Sequence, residues 1–172
     1  MVLWKKQLNM QKELLDFLNK DNCEADEKLL PFDCEISLAY CKALHQAGII
    51  SLEELRKLEG CLNDLRNNAL GGSVRILPEE EDSHTKIEEH LIMQLGATGK
   101  KIHLGKSRND QSLAAVRMFS KKMLAETIKE IGKLIQILYG MAEKYEGVPM
   151  PGYTHMRKAM PTTFGYWCAG IA

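Results

Sequence analysis

No apolar run in the 172-residue sequence approaches the roughly 18 residues that a membrane-spanning helix needs, and no charged-then-apolar leader follows Met1. Neither membrane insertion nor secretion is expected, and the cytoplasm is the expected compartment. Net charge is lacking too. Lys and Arg (23) offset Asp and Glu (23), so no overall field draws the chain to nucleic acid or an anionic membrane. Aromatic residues make up 6%, and none interleaves the basic cluster Lys100, Lys101, His103, Lys106 and Arg108, which argues against a nucleic-acid stacking surface. The five cysteines (Cys23, Cys34, Cys41, Cys61, Cys168) are odd in number and form no C-x-x-C pair, against a disulfide framework or a structural zinc. No strand pattern of useful length, internal repeat or low-complexity segment is visible.

What is present is helical periodicity. Residues 1–22 hold Leu14, Leu15 and Leu18, enough for a short helix, with Trp4 as an anchor on the core. Leu30 to Ala47 reads as a second helix, with Pro31 in its first turn, Ile36, Tyr40, Ala43, Leu44 and Ala47 on one face, and Gly48 as its stop. Ser51 and Glu54 form a capping box ahead of Leu55, Leu58, Leu62, Leu65 and Ala69, a stripe that ends at Gly71-Gly72. The two helices make an αα-hairpin. Asp82 or Ser83 caps a helix from Thr85 to Leu95 that buries Ile87, Leu91 and Leu95.

From Ser112 the pattern is cleaner still. Leu124, Ile128, Ile131, Ile135, Leu138, Ala142 and Tyr145 alternate four and three apart, a heptad seam on a helix of about 50 Å at ~1.5 Å per residue. Gly132 and Gly140 each weaken such a helix by about 1 kcal/mol relative to alanine, so tertiary contacts must hold it. The 27 residues after Tyr145 are too few to cover the seam, so other chains or further sequence must. Pro161 suits the first position of a last helix with Phe164, Trp167 and Cys168, and the sequence stops inside it, as a truncated chain does. The expected architecture is all-α: a helical N-terminal domain over residues 1–110, then the start of a central helical bundle over 111–172.

Gly105-Lys106-Ser107 invites a phosphate-loop reading, but five residues separate Gly99 from Gly105 where the motif has four, and a helix precedes it where a strand is required. Ser107-Arg108-Asn109-Asp110-Gln111 is the more telling stretch. Capping explains one or two polar residues at the start of a bundle helix; it does not explain five. Free N–H groups and partial positive charge at that start favour an anion, and Arg108 offers a bidentate fork for a carboxylate. His155, in Tyr153-Thr154-His155, falls at a break between helices, where bundle proteins build sites. Asp82 and His84 would make two metal ligands, but spacing supplies no third, so no metal is expected.

Glu81-Asp82-Ser83-His84, then the stretch from Gly99 to Gln111, then Met150-Pro151-Gly152-Tyr153-Thr154-His155 occur in the order and spacing of the argininosuccinate lyases. The sequence resembles that family, within the fumarase/aspartase superfamily and beside the delta-crystallins, from about Trp4 onward, Asp26 and Asp33 included. The resemblance implies β-elimination of argininosuccinate to arginine and fumarate in arginine biosynthesis. It also implies a homotetramer around a central bundle, with active sites shared between subunits and no cofactor. By motif match, Ser107, Arg108, Asn109 and Thr154 bind substrate, His155 takes part in proton transfer, and Asp82 and His84 line the site.

The sequence departs from the family pattern at Leu104, Lys106, Arg157 and Met160, and Asn22 stands nearest to an expected substrate-binding serine. The family's glycine-serine-serine loop, which carries the serine assigned as base, has no counterpart here, so the 172-residue chain alone is expected to be inactive. The alternatives are a superfamily lyase releasing fumarate from another substrate, or a non-catalytic crystallin-like assembly protein.

Overall fold

A computed structural model describes residues 12–172. The chain forms two compact units, Met1–Phe119 and Ser120–Ala172, each described by itself. The division falls along a long helix, further on than the expected 110/111 boundary. Among the described residues no helix is long and apolar enough to cross a membrane.

The first unit is built on α1 (Lys12–Gln46) and α2 (Leu52–Leu70). Where two helices were expected up to Ala47, there is one, and Pro31 lies inside it rather than in a first turn. Interior proline leaves the carbonyl four residues back without its donor, a cost of about 3 kcal/mol. A continuous buried stripe offsets that cost: Leu30, Cys34, Ser37, Cys41 and Leu44 alternate four and three apart, all nearly inaccessible. The face expected from Ile36 and Ala43 is thus not the core face. The two cysteines serve as small apolar residues against Leu58, Leu62 and Leu65 of α2. Trp4 lies outside the described residues, as do the side chains of Leu14 and Leu15.

The α2 entrance follows its sequence signal. The Glu54 N–H donates to Ser51 Oγ at 3.1 Å, and the Ser51 N–H to Glu54 Oε2 at 2.9 Å. Next, α3 (Ser83–Leu95) sends Ile87 and Leu91 into the same core. The short α4 (Ala97–Lys100) then lies directly on the α3 backbone. A Cβ at Gly99 would stand 2.4 Å from the Leu91 carbonyl oxygen, so no larger residue fits. A 3-10 turn, Lys101–His103, anchors itself through the fully buried Ile102. The chain then turns over Tyr40, whose hydroxyl donates to the Leu104 carbonyl, and Gly105 takes φ +73°. From there α5 runs Arg108–Lys144. Its first turns pack on α1 through buried Ala115 and an edge-to-face contact of Phe119 with Phe32 at 5.9 Å.

The second unit holds the rest of α5, a hairpin and α6 (Phe164–Ile171). The hairpin corrects the expectation of no strand. β1 (Pro149–Thr154) pairs antiparallel with β2 (Arg157–Thr163), Pro161 sits opposite Pro151 rather than opening a helix, and Thr163 caps α6 instead. Alternation was masked because a bulge at Gly152 breaks the register between Pro151 and Tyr153. The fold class stays helical, with one hairpin added. Along α5, Leu124, Ile128 and Ile131 are exposed, so nothing among the described residues covers that half of the seam.

Candidate functional site in the first unit

Polar residues on the core face of α1 meet the first turn of α3. The Ser83 N–H donates to Asp26 Oδ2 at 3.4 Å, and the Ser83 hydroxyl donates to Asp33 Oδ2. Asp33 is 1% exposed. Burial pushes its carboxyl up to about 6, and neighbouring Asp26 adds to the rise; the hydrogen bond from Ser83, the nearby Gln111 amide and the charge of Lys106 oppose it. Asp26 is raised as well, by burial and by Asp82, against the bond from the Ser83 N–H.

Asp82 caps α3, its Oδ1 accepting from the Thr85 N–H at 2.7 Å. Its Oδ2 accepts from the Arg108 guanidinium at 3.0 Å, and a second guanidinium nitrogen donates to Thr85 Oγ1 at 3.0 Å. One arginine therefore ties the start of α5 to the start of α3. Two of its donors are engaged, and the rest of a half-buried guanidinium remains for a ligand. His84 is buried behind this pair, and burial pushes its imidazole well below the ordinary range against the pull of Asp82. Lys106 reaches across the Tyr40 ring, 5.1 Å from its centroid, and burial brings its ammonium down to about 8.

The run from Ser107 to Gln111 divides by direction. Gln111 turns inward, its amide donating to Ser37 Oγ at 3.2 Å. Ser107, Asn109 and Asp110 are exposed at the mouth of α5, beside Arg108. The structure thus brings together Asp82, His84, Ser107, Arg108 and Asn109. Asp33, Ser37, Ser83 and Lys106 join them, although the sequence names none of these four as a site residue. Their signal was Asp26, Asp33 and Ser37, spaced seven and four apart on one face of a helix. No group of three potential metal ligands occurs among the described residues.

Thr154 and His155 belong to the second unit and are exposed. Thr154 pairs with Arg157, so His155 and Met156 form a two-residue turn with φ +50° and +62°. Such turns favour Asn-Gly, and holding His and Met there stores strain of a kind that accompanies functional positions.

Solved lyases share this arrangement of helices. An EDDS lyase variant with bound fumarate superposes with a TM-score of 0.68 at 29% identity, over 84% of this chain and 28% of that one. A fumarate lyase from Mesorhizobium sp. BNC1 shares the fold at a TM-score of 0.64 and 22% identity, over 90% of this chain and 37% of its own. The chain belongs to the lyase family, whose sequence model matches residues 7–172. Within it, the chain is 37% identical to the argininosuccinate lyase of Thermotoga neapolitana and 34% identical to that of Sorangium cellulosum, over 98% of its length in each case. It spans 42% and 39% of those two proteins, about two fifths of their length.

Proposed function

We propose that the protein carrying this chain is an argininosuccinate lyase that cleaves argininosuccinate to arginine and fumarate. The observation that carries the reading is the fixed guanidinium at the mouth of α5. Arg108, braced by Asp82 and Thr85, stands between the exposed side chains of Ser107 and Asn109. Removing a proton beside a carboxylate concentrates negative charge on the carboxylate oxygens, and pre-positioned donors stabilise it. Arg108 supplies charge and a planar fork, Asn109 and Ser107 supply hydrogen bonds, and the α5 terminus adds its partial positive charge.

Asp82 and His84 line this site and set the position of Arg108. Thr154 holds a substrate carboxylate, and His155 takes part in proton transfer to or from the leaving guanidinium. Active sites are shared between the subunits of a cytoplasmic homotetramer, and the exposed apolar half of the α5 seam is the surface on which its central bundle forms.

Incubating the whole protein with argininosuccinate and following both products by chromatography tests the reading. Arginine and fumarate should appear in equal amounts; their absence would overturn it. A second reading, release of fumarate from a different substrate, draws on the likeness to the EDDS lyase with bound fumarate and on Leu104, Lys106, Arg157 and Met160. Faster fumarate release from such a substrate than from argininosuccinate would favour it.

A further inference from the structure

Behind the Arg108–Asp82 pair lies a second, almost wholly buried carboxylate, Asp33. His84 Nδ1 faces Asp82 Oδ2 at 3.9 Å, and on the opposite edge of the ring Nε2 faces Asp33 Oδ1 at 3.7 Å. Neither Asp33 Oδ1 nor His84 Nε2 has a hydrogen-bond partner among the described residues. Both residues are almost wholly buried, at 1% and 5% exposure. Buried polar atoms are rarely left unpaired, and each of these two is the missing partner of the other. The gap is roughly 0.5 Å beyond N···O hydrogen-bond contact, which a small rotation of the imidazole closes.

We propose that Asp33 is a positioning residue of this site: it shares one proton with His84 Nε2, fixing the imidazole form whose Nδ1–H faces Asp82 and so holding the carboxylate that orients Arg108. A neutral imidazole carries one N–H. Were it on Nε2, the Nδ1 lone pair would confront the Asp82 carboxylate. With the proton on Nδ1, Nε2 becomes an acceptor, and the acid form of Asp33 is the donor within reach. If the shared proton crosses to the ring, Nδ1–H still faces Asp82. Either location of that proton gives the same result at Arg108.

The surroundings support the neutral arrangement. Asp26 on α1, Asp82 on α3, Lys106 and His103 ahead of α5, and Arg108 on α5 are the charged or titratable groups around the pair. Burial favours the protonated carboxyl of Asp33 and the uncharged ring of His84 alike. The role of Asp33 rests on the reading of Arg108 as a substrate-binding residue; the tautomer does not, and the test separates the two.

Nitrogen-15 NMR of the whole protein labelled at histidine, recorded at about pH 5, where Asp33 still holds its proton and the His84 ring is uncharged, should show His84 with a protonated Nδ1. Asp33→Asn should keep that signature, because its amide donates to Nε2, and should bind fumarate within about threefold of wild type. Asp33→Leu should shift the His84 resonances towards a tautomer average and weaken fumarate binding about tenfold or more. A wild-type ring protonated on Nε2 alone overturns the proposal, as does a leucine variant with unchanged resonances and affinity. Should the leucine variant not fold, the wild-type and asparagine spectra still decide. Wild type with Nδ1–H but no fumarate affinity would refute the substrate reading and leave the tautomer assignment standing.

Discussion

Replacing Asp33 with asparagine should change how the stability of the first unit depends on pH. The native carboxyl releases its proton at about 6, against 3.8 for an ordinary aspartate, a difference worth ~3 kcal/mol. The sign follows from which state holds the proton more tightly. Here it is the folded state, so the contribution of Asp33 is complete below about pH 4 and is lost as pH rises through about 6. His84 has the opposite sign: its native imidazole is harder to protonate than a free one. Its contribution is present above the ordinary value of about 6.5 and is lost as pH falls. The two largely offset each other in the wild type. Asp33→Asn removes the first and keeps a side chain able to accept from Ser83. Urea unfolding at pH 4, 5, 6 and 7 reads the outcome. Wild-type stability minus variant stability should grow by up to about 3 kcal/mol between pH 7 and pH 4, with the variant falling steeply in acid because His84 takes up a proton more readily in the unfolded chain. Parallel curves would mean that Asp33 titrates as a solvated carboxylate, and the reasoning would fail.

Two glycine substitutions should have opposite signs. Gly99→Ala drives a methyl into the Leu91 carbonyl and should cost about 1–3 kcal/mol in urea unfolding, whereas Gly60→Ala in α2 meets nothing within 4 Å and should gain up to ~1 kcal/mol. Met156→Gly relieves a left-handed residue at φ +62° and should raise hairpin stability by about 1 kcal/mol, seen as slower amide exchange in β1 and β2.

Much of the first unit was legible because its signals are local. Ser51 with Glu54, and leucines at 55, 58, 62 and 65, define α2 without reference to the rest of the chain. The core face of α1 was legible only at Leu44 and Tyr40, because Cys34, Ser37 and Cys41 occupy the rest of it, residues that a hydrophobicity pattern discounts and that burial against α2 makes apolar in effect. The hairpin was hidden for another reason. Prolines 149, 151 and 161 and the Gly152 bulge disrupt the two-residue period, and its turn uses His155 and Met156 where turn chemistry predicts asparagine and glycine.

At the site, Arg108 and Asp82 were each legible, but their pairing was not. Asp82 lies 26 positions away, and Asp33, 50 positions before Ser83, acquires its unusual proton affinity only from burial. Periodicity reports which face of a helix turns inward. It cannot report which polar residues meet there.

The most direct test of the account is kcat/KM for argininosuccinate cleavage by the whole protein, wild type beside Arg108→Lys. Lysine keeps the charge but loses the planar fork that bridges Asp82 and Thr85 and that, on the proposed function, holds a substrate carboxylate. The wild type should release fumarate, and the variant should fall by about 100-fold or more. No turnover by the wild type, or a variant within about threefold of it, would contradict the account.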